Sequence, residues 1–303
     1  MFIKYQQYDF TIQFSETTYS DVYPAFLLRS VLGKELKSFS CVLRRRKCEE
    51  CPLKFQCAYS YIFESPISKD NEFLKGRDKV SHPFTIFCRE DAGKKLDSLS
   101  FSLTLFGRGI DYFPYIFYAF KKGGESGLFR RKTKYDIVSI FADGKMVNDG
   151  ESEELEIPDS KNWELSTETN EIYKKIKLNV DSPLRLKVNG NYTDKITYRD
   201  FLYSAARRAE ILSAKYGINN ADTQLIKNLS EKSEDICLYW KDYDRYSARQ
   251  KQKMKLGGCL GTMDIEGNFN SHELSLLNFC EIFGLGKNTG FGFGKISVED
   301  LDG

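Results

Sequence analysis

The hydrophobic positions change period along the chain, and each change marks an element. Residues 8–14 alternate apolar and polar with a period of two, which predicts a half-buried strand. Residues 25–37 switch to helical spacing, with Phe26, Leu28, Val31, Leu32 and Leu36 on the inward side. Residues 83–88 and 99–105 read as strands, 113–120 as a short aromatic helix and 135–141 as another strand. The order is β-α-β-β-α-β.

The second half repeats that order with insertions. Residues 176–180 and 184–188 are strand-like, and 198–216 form an amphipathic helix carrying Arg199, Arg207 and Arg208. Residues 246–260 lead as an extended segment into 261–265, with a hairpin turn expected at Glu266, Gly267 and Asn268. A helix over 274–283 is expected to start at Ser271 or His272, and 294–298 give a last strand. Two split βαβ units predict an α+β chain of tandem ferredoxin-like domains, the RRM-like architecture of modules that read single-stranded RNA. The turn-rich acidic stretch 143–162, a linker or long hairpin tip, divides them: an N-terminal domain over 1–148, a linker over 149–162 and a C-terminal domain over 163–303.

Composition fits this reading. The 303 residues are 41% hydrophobic and 29% charged, enough apolar material for two ordinary cores and too much for general disorder. The longest apolar-aromatic run, 112–120, is far short of the ~20 residues of a membrane helix, and the start Met1-Phe2-Ile3-Lys4-Tyr5 has no signal-peptide core. A cytoplasmic protein without a membrane partner is expected. The formal net charge of +2 hides three basic segments, 29–47, 121–134 and 241–255. Brought to one surface they would bind a polyanion, although each alone reads equally as a solvated face.

Eight cysteines in such a chain point to free thiols or metal ligands before disulfides. Cys41, Cys48, Cys51 and Cys57 are spaced C-x6-C-x2-C-x5-C within an insertion over 41–64, and four thiolates suit a structural zinc or an iron–sulfur cluster. The basic run at 44–47 is expected to favour thiolates. Cys88, Cys237, Cys259 and Cys280 are scattered and read as small buried hydrophobes.

The segment 284–294, Gly-Leu-Gly-Lys-Asn-Thr-Gly-Phe-Gly-Phe-Gly, lies between a helix and the final strand. It follows a helix, lacks the spacing of a dinucleotide fingerprint and is not a Walker loop. Its glycines allow positive φ and close approach of a phosphate or of another backbone.

With the doubled β-α-β-β-α-β order, this loop resembles the RAMP superfamily of CRISPR-associated RNA-binding proteins, and within it the CRISPR repeat-RNA processing endoribonucleases. Further matches are Leu28-Arg29-Ser30-Val31-Leu32-Gly33, Cys57-Ala58-Tyr59-Ser60-Tyr61-Ile62-Phe63-Glu64, Phe101-Ser102-Leu103-Thr104-Leu105-Phe106-Gly107, Ser182-Pro183-Leu184-Arg185-Leu186 and Arg245-Tyr246-Ser247-Ala248-Arg249-Gln250. The resemblance implies cleavage of precursor CRISPR RNA within each repeat, without a metal, by attack of a ribose 2′-OH on the adjacent phosphate. The products are a 2′,3′-cyclic phosphate and a 5′-OH. It implies repeat RNA as partner, with interference-complex subunits as further partners.

That reaction needs a base, an acid and cations around the phosphorane. The only histidines are His82 and His272, each with a plain alternative as a turn or helix-start residue. Relatives often carry a histidine near the first helix, and none occurs over 25–47. Tyr246 and Lys255, with Arg249 and Lys253, are the other catalytic candidates. Arg245, Arg249, Lys253 and Lys255 sit at odd positions, which in one extended segment would put them on one face towards phosphates. Arg207, Arg208, Gly286, Lys287, Gly290 and Gly292 complete the RNA-binding candidates. Tyr112, Phe113, Tyr115 and Phe117 either stack bases or form the core of a buried helix. Two rival readings remain: a non-catalytic RAMP subunit of an interference complex, and a metal-cluster nuclease with a DNA-binding cysteine segment. Against the latter, no strand-end carboxylate set for Mg²⁺ is evident.

Overall fold

In the computed structural model, residues 1–68, 71–77, 80–166, 174–219, 229–247 and 252–301 are described. The chain divides into two compact units, Lys4–Lys161 and Asn162–Gly303, the latter also holding Met1–Ile3. Phe2 exchanges two backbone hydrogen bonds with Ile218 of that second unit.

The first unit runs β1 (Phe2–Tyr19), α1 (Pro24–Ser40), β2 (Phe84–Cys88), β3 (Lys95–Phe106), α2 (Phe113–Ser126), β4 (Tyr135–Ala142) and β5 (Lys145–Asn148). The strands pair antiparallel in the order β2-β3-β1-β4-β5, so the first four have the ferredoxin-like arrangement. Tyr8, Phe10, Ile12 and Phe14 of β1 are buried, as the period of two requires. Tyr8 stacks on Phe113 of α2 at 3.6 Å between ring centroids, and Phe10 stacks on Phe101 of β3 at 4.9 Å. Across the middle of the opposite face lie Asp9, Thr11, Gln13, Ser98, Ser100 and Ser102, with Phe87 and Phe141 beside them on the neighbouring strands.

Two helices differ from the sequence reading. Val31 of α1 is only half-buried, while Glu35 is buried, its carboxylate 2.8 Å from Lys34 and 4.0 Å from Lys122. Helix α2 continues past 120 to Ser126 through Gly123 and Gly124, a pair that alone would signal a stop. A Cβ on Gly123 would lie 2.2 Å from Val31 Cγ1, and one on Gly124 2.1 Å from the Tyr135 carbonyl. The glycines permit that close packing. Asp143 and Gly144, which open the turn-rich stretch, are the turn of the β4–β5 hairpin, both with positive φ. The chain beyond is held back on β5: Glu156 donates to the Val147 carbonyl, and buried Asn148 donates to the Ser152 and Glu154 carbonyls.

β6 (Lys161–Glu164) leads into β7 (Lys175–Leu184), β8 (Lys187–Val188), β9 (Asn191–Tyr192), α3 (Tyr198–Tyr216), β10 (Ser233–Ser247), β11 (Gln252–Glu266), α4 (Ser271–Phe283) and β12 (Ile296–Asp300). The sheet order β10-β11-β7-β12 repeats that of the first unit. β7 is one strand where two were expected. The hairpin also differs. β10 and β11 pair from Ser233↔Glu266 to Ser247↔Gln252, so the chain reverses after Ser247, and Glu266-Gly267-Asn268 instead joins β11 to α4. The glycines of β11 mimic a turn in the sequence but mark close backbone approach: a Cβ on Gly258 would lie 3.0 Å from the Leu184 carbonyl, and one on Gly261 1.9 Å from the Cys237 carbonyl. Asn270, not Ser271 or His272, caps α4, in a reciprocal box with Glu273. Among the described residues no helix is long and apolar enough to cross a membrane.

Candidate functional site

His82 stands two residues before β2 in the first unit, half-buried, its ring stacked on Phe84 at 5.6 Å and tilted against Phe63 at 5.9 Å. Its Nε2 lies 2.9 Å from Nη2 of Arg29 on α1, and its Nδ1 lies 3.4 Å from Oγ of Ser65. A guanidinium has no acceptor, so Nε2 accepts and the proton of the neutral ring sits on Nδ1, facing Ser65. Ser65 follows the π-turn Ser60–Glu64 with φ at 45°. Gly33 lets that turn approach α1, since a Cβ there would meet Phe63 at 3.0 Å. The Arg29 guanidinium also lies 5.1 Å above the Phe63 ring. Two quoted motifs, 28–33 and 57–64, thus converge on one imidazole. Arg29 and Ser65 were not singled out for this site, because nothing local in the sequence links either to position 82.

His272 is half-buried in the first turn of α4 in the second unit. Its neighbour Glu273 is buried with Lys232 at 2.6 Å.

The basic hairpin is not the single face expected. In the β10–β11 ladder Arg245 stands opposite Met254, Tyr246 opposite Lys253 and Asp244 opposite Lys255. Directly opposed residues share a face, so Lys253 and Lys255 lie on the face of Asp244, and Arg245 lies on the other. Lys253 and Lys255 are exposed. Arg245 is half-buried, its guanidinium 4.0 Å over the ring of Phe291 in the glycine-rich loop. The side chain of Tyr246 and all of Arg249 lie outside the described residues.

Arg208 is a correction of another kind. Assigned to RNA, it is buried, donating from Nε to the Gly284 carbonyl at 2.9 Å and from Nη2 to the Phe283 carbonyl at 3.0 Å and Thr289 Oγ1 at 2.9 Å. Burial lowers its pKa to about 10, which leaves it charged at neutral pH. It ties the end of α4 to the glycine-rich loop. Arg207 is exposed and one helical turn beyond exposed Tyr203, which in turn receives a hydrogen bond from Arg199 at 3.4 Å. Within the loop, Lys287 is exposed and Gly286 half-buried, whereas Gly290 and Gly292 are buried and offer no open backbone to a phosphate. Gly294 has φ at 76°, and a Cβ there would strike the Leu285 carbonyl at 1.9 Å. These glycines serve the loop's own packing.

A family model for the CRISPR-associated endoribonuclease Cas6 matches residues 178–296, from β7 through the glycine-rich loop to β12. The C-terminal part of the chain thus resembles the Cas6 family. A second family model, described as the AF_1859_N N-terminal domain, matches residues 3–164. The fold agrees with solved Cas6 structures. A Cas6 (TTHB231) product complex superposes with a TM-score of 0.56 at 14% identity, over 98% of this chain and 99% of that one. Thermus thermophilus Cas6 (TTHB231) gives 0.53 at 13%, over 98% and 99%. A partial Cas6-RT-Cas1–Cas2 complex gives 0.56 at 14%, over 98% of this chain and 46% of that one. No curated protein matches the sequence.

The Cas6 resemblance leaves the cysteine segment unexplained. Cys48 to Glu50 form the expected tight turn, with Cys51 N–H on the Cys48 carbonyl at 3.2 Å. All four thiols are half-buried and unbridged, yet among the described residues no three Cys, His, Asp or Glu side chains come together as a metal site. Burial pushes the Cys48 thiol up, and Glu64 adds to that; Lys37, not the run at 44–47, opposes it. The other scattered thiols behave as expected: Cys88, Cys259 and Cys280 are buried, but Cys237 is exposed.

Proposed function

We propose that the chain cuts precursor CRISPR RNA within its repeats, without a metal, by attack of the ribose 2′-OH on the adjacent phosphorus. The bond from phosphorus to the 5′-oxygen breaks, leaving a 2′,3′-cyclic phosphate on one fragment and a 5′-OH on the other. The match of residues 178–296 to the Cas6 endoribonuclease model supports the substrate class. The Arg29–His82 contact supports the chemistry. Arg29 donates into the lone pair of Nε2. An arriving phosphate competes for that guanidinium, which binds phosphate with two parallel N–H groups. Nε2 is then released to take the 2′-OH proton while Arg29 stabilises charge on the phosphorane, and the leaving 5′-oxygen takes its proton from the imidazolium so formed or from water. Ser65 holds the Nδ1 proton and so the ring's orientation. Repeat RNA is the partner, and the Cas1–Cas2 assembly named for one similar structure makes CRISPR complex subunits candidate partners.

The same contact favours one second reading. If Arg29 never leaves Nε2, the chain is a non-catalytic RNA-binding subunit. Incubation with the repeat RNA of its own genome in the presence of chelator, followed by end-group analysis, separates the two. A single cut leaving a cyclic phosphate is expected; tight binding without cleavage would assign the subunit role.

A further inference from the structure

Helix α2 sorts its aromatic residues by type. Phe113, Phe117 and Phe120 are buried against the sheet, while Tyr115 and Tyr118 are 48% and 51% exposed. The expectation for this helix therefore splits: the phenylalanines are core, and the tyrosines face outward. They are not scattered rings. Tyr118 meets Phe39 of α1 edge-on at 5.2 Å, Phe39 stacks on Tyr115 at 6.4 Å, Tyr115 meets Tyr112 at 6.0 Å, and Tyr112 meets Tyr61 at 5.5 Å. A second pair, Tyr59 stacked on Phe63 at 5.5 Å, leads to His82. Cations flank both: Lys37 lies 5.2 Å over Tyr59 and Arg108 lies 5.6 Å over Tyr61. A carboxylate, Asp111, acts on Tyr61.

Exposed rings cost free energy in water, and a tyrosine surface is suited to partners that are flat and partly polar. Rings interleaved with Lys and Arg match single-stranded nucleic acid, whose bases stack on rings while its phosphates meet cations. We propose that the tyrosine face of α2, with Phe39 and Tyr61, is a stacking platform for unpaired nucleotides of the bound repeat RNA. This rests on the reading of the chain as a repeat-RNA nuclease, and it adds what that reading lacks, a sequence-tolerant site leading from α2 towards His82.

The test uses the full chain and its own repeat RNA, with 2-aminopurine in the unpaired part and 2′-deoxyribose at the mapped cut. Stacking is worth about 1–3 kcal/mol per base, so Tyr115→Ala with Tyr118→Ala should weaken binding by roughly 5- to 150-fold per stacked base lost. Quenching of 2-aminopurine should be lost with it. Tyr115→Phe with Tyr118→Phe keeps both rings and should retain affinity and quenching. Unchanged affinity and quenching in the alanine variant, with wild-type binding intact, would overturn the platform alone. So would a loss of self-association in that variant with RNA binding unchanged, which would make the face a protein interface. Failure of the wild-type chain to bind repeat RNA at all would overturn the nuclease reading and the platform together.

Discussion

At the residue scale, two basic side chains that look alike in the sequence have opposite roles. Arg29 meets an imidazole at a half-buried site, whereas Arg208 is buried among carbonyl oxygens. Removing His82 takes away the proposed base and leaves the cationic surface. His82→Ala should therefore lower single-turnover cleavage by roughly 10²- to 10⁴-fold with repeat-RNA affinity retained. An equal rate in the mutant would remove His82 from the mechanism. Arg208→Ala leaves the carbonyls of Phe283 and Gly284 without their charged donor. A loss of about 3 kcal/mol in a denaturant titration is expected, because breaking a buried charged contact costs far more than an exposed one contributes. If the variant instead keeps its stability and loses RNA affinity, Arg208 returns to the binding surface.

At the element scale, the β10–β11 hairpin decides which cations can act together. Pairing of Asp244 with Lys255 and of Arg245 with Met254 puts the two lysines on one face and the arginine on the other. Lys253→Ala with Lys255→Ala should weaken RNA binding and flatten its salt dependence, by about 0.7 in log–log slope for each lost phosphate contact. Arg245→Ala should leave that slope unchanged and act on stability, since its guanidinium packs on Phe291. The reverse pattern in a salt titration would exchange the two roles. Elements were legible wherever one face is buried: β1, α1, α2 and α3 follow from their periodicity. The hairpin turn was misplaced because Glu266-Gly267-Asn268 has turn composition but joins β11 to α4, and strand pairing with residues distant in sequence leaves no local signature.

At the whole-molecule scale, a formal charge of +2 is an average over unevenly placed charges. Affinity for repeat RNA is set by the cations that meet phosphate, so it should fall steeply with salt despite the near-neutral total. A flat response between low and physiological salt would point to binding by stacking alone. The two units share one strand order, β2-β3-β1-β4 in the first and β10-β11-β7-β12 in the second, which is why a doubled pattern could be read before any coordinates.

The sequence by itself determined that doubled pattern, the family resemblance and the shortness of the histidine list, because periodicity, motif order and composition are properties of the chain read in one dimension. Only the tertiary structure decided that Arg29 and Ser65 meet His82, that Arg208 is a tie within the fold and that the tyrosines of α2 face outward. Each of these depends on contacts between residues far apart in the chain, fixed by which surfaces must be buried together.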